Sequence, residues 1–412
     1  MMTWTPIERI PAEELALRHA RCRDLLAACC PDAAGLMAFS RVNIYWLTGT
    51  LGNGLLWLPR EGEPILLLRR GMERAQLECP LPHIHPFRSY SDVPGLLAEA
   101  GSPLPDNAPI AVGMSGLPWS LGQLLTAKLP QHAFINGDKV LQKGRAKKTP
   151  WELSKLRLGG ERHHMCLHDL LPELLRPGMS ERELSHMAWA VFFGHGHCGN
   201  MRMSNFGEEI FLGHVAAGES ANYPSVFNGP VGVRGEHPAS PFAGYAGTAW
   251  TPGTPLVMDI GFCLEGYHTD KTQIYWAGSK ASLPDEVKAA HAFCVEVQTR
   301  AAHALRPGAR PSDIYADAVA RAHKAGYADG FMALDNNKVV FLGHGIGLAI
   351  DEYPVLAKGF DEPLEEGMVL ALEPKMGIRG LGMVGVENTF EVTPEGGKCI
   401  TGHAYDIVCI DG

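Results

Sequence analysis

The sequence predicts two domains, an α/β domain at the amino end and a second domain that combines helical pairs with strand-like segments. The chain has 412 residues, more than one hydrophobic core usually serves, because a domain typically takes about 150 residues. Helical and strand-like patterns alternate as far as about Phe134. A basic, turn-rich stretch over residues 137–151 then marks a boundary. We therefore predict domains at residues 1–145 and 146–412.

Composition and charge exclude several classes of function. Hydrophobic residues make up 46% of the chain and charged residues 20%, as in a globular protein with a large core. The formal net charge of −9 provides no broad basic face, so we expect neither nucleic acid nor a membrane as a partner. A short peptide or another small molecule is the better candidate substrate.

Cysteine use and the amino terminus indicate a reducing compartment. The ten cysteines are sparse and form no Cys-x-x-Cys pair, so a disulfide framework is not expected. The first residues reach charged side chains without the basic and then apolar order of a signal peptide. The sequence also lacks an apolar run long enough to predict a membrane-spanning helix. We therefore expect a cytoplasmic protein.

Apolar spacing predicts the elements of the first domain. An amphipathic helix is expected over residues 11–30, where apolar side chains recur at helical spacing among Glu and Arg. Three short apolar stretches predict strands over residues 35–39, 55–58 and 64–68. The segment Arg60-Glu61-Gly62-Glu63 has the composition of a hairpin turn between the last two strands.

Two helical pairs with similar punctuation are expected in the second domain. The predicted helices cover residues 152–175, 181–193, 284–305 and 311–325. An Arg-Pro-Gly tripeptide separates the helices of each pair. Ser180 and Glu183 have capping-box spacing at the start of one helix, and Ser312 is a candidate cap for the last one. Glycine-rich, strand-like segments lie between the two pairs.

Two aspartates stand out in the segment LVMDIGFCLEGYHTDKTQIY, residues 256–275. We predict a strand that ends in Asp259, a glycine-containing turn, and a second strand that carries Asp270. The apolar run before Asp259 predicts that its carboxylate is buried. A buried ionised carboxylate costs roughly several kcal/mol unless it is paired or bound to a cation. A positive group is therefore expected beside it.

Three further apolar segments each deliver one potential ligand. VVFLGHGIGL brings His344 into a glycine-rich bend, MVLALEP ends in Glu373, and MVGVENTF places Glu387 inside a strand. Four carboxylates and one imidazole hold two divalent ions if some carboxylates bridge, and Mn²⁺, Co²⁺, Zn²⁺ and Fe²⁺ all suit such ligands. Paired ions share and acidify a water and polarise a carbonyl, so hydrolysis needs no Ser or Cys nucleophile. The pattern predicts a metallohydrolase.

Each of these side chains also has an ordinary structural explanation when it is taken alone. The alternatives are a turn cap for Asp259, a local cap of Thr272 for Asp270, a hydrogen-bonded core histidine for His344, a helix-start carboxylate for Glu373, and an ion pair with Lys375 for Glu387. All five alternatives would have to hold together, whereas one shared site explains all five positions.

These motifs resemble those of the pita-bread metallopeptidases, the family that includes methionine aminopeptidase, aminopeptidase P and prolidase. The likeness covers nearly the whole chain, because the first domain is similar to the creatinase-type domain that precedes the catalytic domain in aminopeptidase P and prolidase. It implies an α/β creatinase-like domain followed by an α+β pita-bread catalytic domain, with a homodimer as the assembly. The family's metal pattern falls on Asp259, Asp270, His344 in GHGIGL, Glu373 in LEP and Glu387 in VEN. The resemblance also implies that Glu373 shuttles a proton from the attacking water to the leaving amine.

The departures from the family pattern concern substrate recognition. Relatives that cleave before proline usually have a His-Glu-x-Pro motif, but here the sequence is Asp351-Glu352-Tyr353-Pro354. An aspartate donates to an oxyanion only when it is protonated, so Asp351 is either neutral or binds a cationic part of the substrate. We favour the second. The other departures are Phe242 where relatives carry a histidine, with His237 as the nearest candidate, Val384-Gly385-Val386 where an arginine is usual, and Gln273 in place of an arginine.

Three functions stay open on the sequence. The first is an Xaa-Pro-type aminopeptidase or dipeptidase that acts on short peptides. The second is a pita-bread enzyme for a non-peptide small molecule, such as a creatinase-like hydrolase or lyase, which the presence of Asp351 favours. The third is a binding protein without catalysis, which the full ligand set disfavours. Residues 214–232 are either a pocket wall or a surface loop, and residues 43–49 resemble a strand and turn that reaches a neighbouring subunit's site.

Overall fold

The chain forms two compact units, Met1–Arg145 and Ala146–Gly412. The structure is a computed structural model that describes residue 5 and residues 8–106, 108–204, 210–242 and 244–411. Within these ranges no helix has both the length and the hydropathy that a membrane span requires.

The first unit is an α/β domain built on one mixed sheet. Its helices are α1 (Ala12–Cys29), α2 (Arg41–Thr48), α3 (Met72–Glu78), α4 (Val93–Glu99), α5 (Trp119–Lys128) and α6 (Asp138–Ala146). Its strands are β1 (Gly35–Ala38), β2 (Asn53–Pro59), β3 (Ile65–Arg70), β4 (His83–Pro86), β5 (Ile110–Val112) and β6 (Phe134–Asn136). The sheet order is β4-β3-β2-β1-β5-β6. The β1-β2-β3 part is antiparallel and the remaining strands join in parallel.

The predicted hairpin of the first unit is present, but the segment over residues 43–49 is not the expected strand and turn. Leu56 pairs with Leu66 across β2 and β3, which flank the Arg60-Glu61-Gly62-Glu63 turn. Residues 43–48 instead belong to helix α2. The Ser40 hydroxyl accepts the Asn43 N–H at its start, and Gly49 at φ 82° ends it. The apolar side chains of this segment, which was expected to be a strand, are therefore buried on a helix.

The second unit is α+β, with four α-helices and eleven strands among its described residues. Its helices are α7 (Pro150–His164), α8 (Glu181–Gly194), α9 (Asp285–Ala304) and α10 (Pro311–Lys324). Its strands are β7 (Gly213–Ala217), β8 (Pro255–Leu264), β9 (Tyr267–Ala277), β10 (Phe341–Gly345), β11 (Glu352–Ala357), β12 (Val369–Leu372), β13 (Lys375–Ile378), β14 (Gly382–Gly385), β15 (Asn388–Thr393), β16 (Gly396–Cys399) and β17 (Val408–Ile410). The sheets run β17-β9-β8-β7, β11-β10-β12-β15-β16 and β13-β14.

Strand β8 lies between two hydrophobic clusters, and its alternation determines which side chains face the site. Met258 and Ile260 pack into the cluster that also contains Phe192 of α8. Val257 on the other face belongs to the cluster that contains α9 and α10. Side chains alternate along a strand, so Asp259 points away from the α8 side, like Val257. The predicted strand end at Asp259 is wrong, because buried residues extend β8 to Leu264.

Local signals predicted most helix boundaries of the second unit, with two exceptions. Ser180 and Glu183 form the expected reciprocal capping box. The helix expected over residues 152–175 is shorter, because α7 ends at His164 and widens into a π-helical turn before Pro172. Ser312 is not the cap of α10. Arg310 occupies that position, and the Ser312 hydroxyl donates to Asp361 at 2.5 Å.

Candidate metal centre

The β8–β9 hairpin places Asp259 and Asp270 on the same face. Across the two strands Asp259 pairs with Thr272, and Asp270 pairs with Gly261. The two carboxylates are therefore diagonal neighbours, a separation that side chains on one face bridge readily. Gly261 opposite Asp270 has no side chain, and the Met201 and Ile350 side chains occupy the space that a Cβ atom there would need.

His344 enters the same space from β10, with a defined nitrogen directed at the carboxylates. Its Nδ1 lies 3.1 Å from the Gly345 carbonyl oxygen. A carbonyl only accepts, so Nδ1 carries the proton and the lone pair of neutral His344 is on Nε2. That atom lies 3.4 Å from Glu373 Oε1 and 4.0 Å from Glu387 Oε1.

Backbone pairing holds the two glutamates in place. Glu373 directly follows β12, and its N–H donates to the Leu342 carbonyl at 3.0 Å. Glu387 lies between β14 and β15, not inside a strand as expected, and its carbonyl accepts the Thr272 N–H at 3.2 Å. Possible ligand atoms of Asp270, His344 and Glu387 all lie within 4.8 Å of one another.

A buried lysine completes the cluster. Lys375 Nζ lies 3.0 Å from Glu387 Oε2 and 3.5 Å from Asp259 Oδ1. The Thr272 hydroxyl contacts Asp259 Oδ1 and lies 3.2 Å from Glu387 Oε2. The Glu387–Lys375 ion pair, the ordinary structural explanation of Glu387, is thus present. Lys375 also contacts Asp259, so this ion pair is part of the predicted cluster and not an alternative to it.

Mutual repulsion and burial govern the electrostatics of the cluster. Burial raises the pKa of Asp270 to about 8, and the charge of Asp259 adds to this rise. Burial, together with neighbouring carboxylates, also raises the pKa of Glu373 and of Glu387 well above the ordinary value. Asp259 differs: burial opposes ionisation, yet Lys375 and hydrogen bonds lower its pKa. The pKa of His344 is lowered by burial, which favours the neutral imidazole that metals bind.

These residues fit divalent metal ions. Glu387 Oε1 is buried and has no hydrogen-bond partner among the described residues. A buried polar atom without a partner destabilises the folded protein, and a bound metal ion would supply the missing partner. If all four carboxylates are ionised, the single positive charge of Lys375 leaves the cluster with a net charge of −3. Carboxylate oxygens with one imidazole nitrogen are suitable donors for such ions.

Asp351, which is expected to contact the substrate, is close to the cluster. Its Oδ1 accepts the Ser204 N–H at 2.7 Å, and its main-chain carbonyl accepts the Ser204 hydroxyl at 2.5 Å. Burial raises the pKa of Asp351, whereas the Ser204 contact and His344 oppose the rise. Asp351 therefore lies within electrostatic range of the predicted ligand His344.

The other departures from the family pattern have different locations. Gln273 lies on the opposite face of β9 from Asp270, and its amide donates to the Asp406 carbonyl at 2.9 Å. His237 is exposed and accepts the Ala239 N–H within its own loop. The histidine beside the cluster is instead His214, which pairs with Asp259 across β7 and β8. No spacing in the sequence indicates His214, because a long loop separates β7 from β8.

Part of the segment 214–232 lines a cavity, and its expected role in the substrate pocket stays a prediction. Its residues 221–232 line a cavity of about 300 Å³ together with residues 333–340. Phe227 at this cavity packs edge-on against the His214 imidazole, with ring centroids 5.3 Å apart. Phe227 therefore links the cavity to His214, which pairs with Asp259.

The comparison with protein families agrees with this architecture. Residues 154–394, more than half of the chain, match the metallopeptidase family M24. Residues 18–147 match the creatinase/prolidase N-terminal domain. The chain belongs to metallopeptidase family M24, and divalent metal ions are the cofactors that this family implies.

Individual relatives are similar over most of their length. The chain is 27% identical to a probable dipeptidase PepE of Mycobacterium bovis, over 98% of each chain. It is 25% identical to an Xaa-Pro dipeptidase of Pyrococcus furiosus, over 87% of this chain and 91% of that protein. Among solved structures, dipeptidase PepE of Mycobacterium ulcerans superposes with a TM-score of 0.78 at 22% identity, over 98% of this chain and 100% of that one. The predicted creatinase-like and pita-bread fold is confirmed.

Proposed function

We propose that Asp259, Asp270, His344, Glu373 and Glu387 bind two divalent metal ions. The observation that carries this proposal is the convergence of His344 Nε2 with buried carboxylates whose charge one lysine does not neutralise. The unpartnered Oε1 of Glu387 supports it further. When bound, two such ions acidify a water molecule and polarise the scissile carbonyl.

Glu373 and Asp351 would be the catalytic residues beside the metals. The pKa of Glu373 is raised by burial, which suits a carboxylate that accepts a proton and passes it to a leaving amine. Burial raises the pKa of Asp351, and the Ser204 N–H opposes this rise, so a nearby cationic group would favour the charged form further. An ionised Asp351 would bind the ammonium group of a substrate.

The activity that we propose is that of an Xaa-Pro-type dipeptidase or aminopeptidase. Relatives that share most of the chain carry the names Xaa-Pro dipeptidase and dipeptidase PepE. A cavity of about 300 Å³ is of the size that takes a short ligand. An anionic Asp351 beside the metals matches the free amino group of a dipeptide.

Hydrolysis by the purified, metal-loaded protein tests this activity. Xaa-Pro dipeptides, Xaa-Pro tripeptides and matched Xaa-Ala peptides are incubated with protein loaded with Mn²⁺, Co²⁺, Zn²⁺ or Fe²⁺. We expect cleavage of at least one Xaa-Pro class and its loss in Glu373→Gln. A protein that holds metal but cleaves none of these peptides would contradict the proposed activity.

One observation favours a second function, a pita-bread enzyme for a non-peptide cation. Asp351 stands where relatives that cleave before proline carry a histidine, and an anion there suits a quaternary or guanidino group as well as a peptide amine. This alternative is supported if the protein converts a cationic metabolite and cleaves no peptide of the panel.

The assembly, location and domain limits are also proposals. We propose a homodimer, which light scattering on the full chain tests. All ten cysteines are unpaired in the structure, which supports a cytoplasmic location. The units Met1–Arg145 and Ala146–Gly412 support a creatinase-type domain over residues 1–145 and a catalytic domain over residues 146–412.

A further inference from the structure

Lys375 is a fully buried cation inside the candidate metal centre. Its side chain has 0% exposure, and its Nζ contacts both Asp259 and Glu387. Among the ion pairs of the described residues, no other lysine or arginine reaches these two carboxylates. The Lys375 ammonium and the proposed divalent ions would therefore bind the same carboxylates, those of Asp259 and Glu387.

The neighbouring strand makes room for this lysine. Lys375 on β13 pairs with Gly385 on β14. A Cβ atom at Gly385 would lie 3.1 Å from Lys375 Cδ and 2.4 Å from the Pro374 carbonyl oxygen, so a larger residue there would crowd the lysine. Lys375 thus supplies a cation to the cluster from the adjacent strand.

The contacts of Lys375 are of the kind that a cation-dependent site needs. Its Nζ lies 3.0 Å from Glu387 Oε2 and 3.5 Å from Asp259 Oδ1, so the ammonium is held between two carboxyl groups at ion-pair distance. Without Lys375, Asp259 and Glu387 would lose the cation that contacts both of them and would keep only the Thr272 hydroxyl and each other as partners, which leaves buried carboxylate charge poorly compensated.

We propose that Lys375 is a resident cation that stabilises the metal-free centre and competes with a divalent ion for Asp259 and Glu387. This inference rests on the proposed metal centre. Its physical basis is that the ammonium and an incoming ion repel each other while they share the same carboxylates. Lys375 would therefore stabilise the metal-free protein more than the metal-loaded protein.

Thermodynamic linkage turns this difference into a measurable affinity. A substitution that destabilises the metal-free form more than the loaded form must tighten metal binding by the same difference. Lys375→Met removes the charge and keeps an unbranched side chain of similar length. We expect it to lower the Tm of metal-free protein, to lower the Tm of loaded protein less, and to tighten Mn²⁺ binding at least about tenfold.

Titration calorimetry with Mn²⁺ and thermal unfolding of the full chain, with and without Mn²⁺, measure these effects without any substrate. Lys271→Met is the matched control. Lys271 is also a buried lysine of this region, but its Nζ bonds the Asn388 side-chain oxygen at 2.8 Å and no carboxylate. We expect the control to lower both Tm values similarly and to leave Mn²⁺ affinity within about threefold of wild type.

Two outcomes would overturn the inference. One is Mn²⁺ binding by Lys375→Met that is as weak as or weaker than in the wild type, and the other is an equal loss of Tm in both forms. If Lys375→Met folds only in the presence of Mn²⁺, the inference is supported. If it fails to fold even then, Lys375→Gln, which keeps a hydrogen-bond donor without the charge, is measured in its place against the same criteria.

The experiment separates this inference from the proposed function. Wild-type protein that takes up no metal contradicts the proposed metal centre itself. Wild-type protein that binds metal and cleaves peptides, alongside a Lys375→Met variant with unchanged affinity, contradicts only the role given to Lys375.

Discussion

The metal side and the substrate side of the candidate centre are held by different kinds of contact. On the metal side, Asp259 and Asp270 belong to one antiparallel ladder, and the backbone of Glu387 pairs with that of Thr272. On the proposed substrate side, Asp351 is held by the hydroxyl and N–H of Ser204. A separate cavity, which Phe227 joins to His214, is walled by loops over residues 221–232 and 333–340.

None of the departures from the family pattern falls on one of the five predicted ligands. A ligand on a paired strand cannot move without breaking several backbone hydrogen bonds, and losing one carboxylate upsets the charge balance of the whole cluster. Two of the four departures, Asp351 and Phe242, lie outside the strands, where exchange is tolerated more readily. The other two, Gln273 on β9 and the segment 384–386 at β14, lie on the metal side at positions that are not ligands.

The largest expected effect comes from removing a ligand on the metal side. Glu387→Gln keeps the shape of the side chain but removes a charge that lies near His344 and Lys375. We expect metal uptake to fall below one equivalent and peptide hydrolysis to drop by about 10³-fold or more. Elemental analysis after dialysis and a hydrolysis assay measure the two effects.

Glu391→Gln provides the control for this variant. Glu391 is a buried glutamate on the nearby strand β15, but it pairs with Arg157 at 2.8 Å. Its substitution should leave metal content unchanged. If Glu387→Gln also retains full metal content and turnover, the metal side as described is wrong.

Glu373→Gln is expected to separate proton transfer from metal binding. The amide keeps an oxygen near His344 Nε2 but accepts no proton at neutral pH. We expect kcat to fall by about 10² to 10⁴-fold, with a smaller loss of metal than in Glu387→Gln. Parallel measurements of kcat and bound metal test this order. Equal kcat in wild type and variant would remove Glu373 from the proposed mechanism.

Asp351→Asn is expected to affect the substrate side alone. The amide still accepts the Ser204 N–H but loses the charge that would bind a substrate ammonium. We expect the KM of dipeptides with a free amino group to rise by about tenfold, while N-acetylated analogues and metal content change little. An equal change for both substrate types would show that Asp351 does not recognise the amine.

The smallest effect concerns the pH dependence of metal stabilisation. The pKa values of Asp270, Glu373 and Glu387 are raised in the metal-free protein, that of Asp270 to about 8. Stability from such groups is present below their unfolded pKa and is lost as the pH rises through the folded pKa. Metal replaces these protons, so the Tm gained on adding Mn²⁺ should grow by a few degrees from about pH 6 to about pH 8.

Thermal unfolding with and without Mn²⁺ across this range tests the expectation. Asp270→Asn should show a shallower pH dependence, because it removes the group that titrates inside the window. A Tm gain that is constant over the range would mean that these carboxylates already hold no protons in the metal-free protein.

The sequence by itself determined the two-domain α/β and α+β fold and the residues that gather in the centre. Short apolar runs predicted the strands, and a carboxylate within such a run implied a nearby cation. These signals are local in the chain. The error at residues 43–49 overlooked two other local signals, the Ser40 cap and Gly49 at the end of helix α2. The position of Glu387 between β14 and β15 depends on strand pairing, which the local sequence does not show.

Only the tertiary structure decided which side chains meet across long separations. It brought His214, and not His237, beside Asp259, and it turned Gln273 to the opposite face of β9. It also placed Lys375 between Asp259 and Glu387. The physical reason is that strand pairing and the burial of charge depend on the whole packed unit, so a residue acquires its partner only when distant segments fold together.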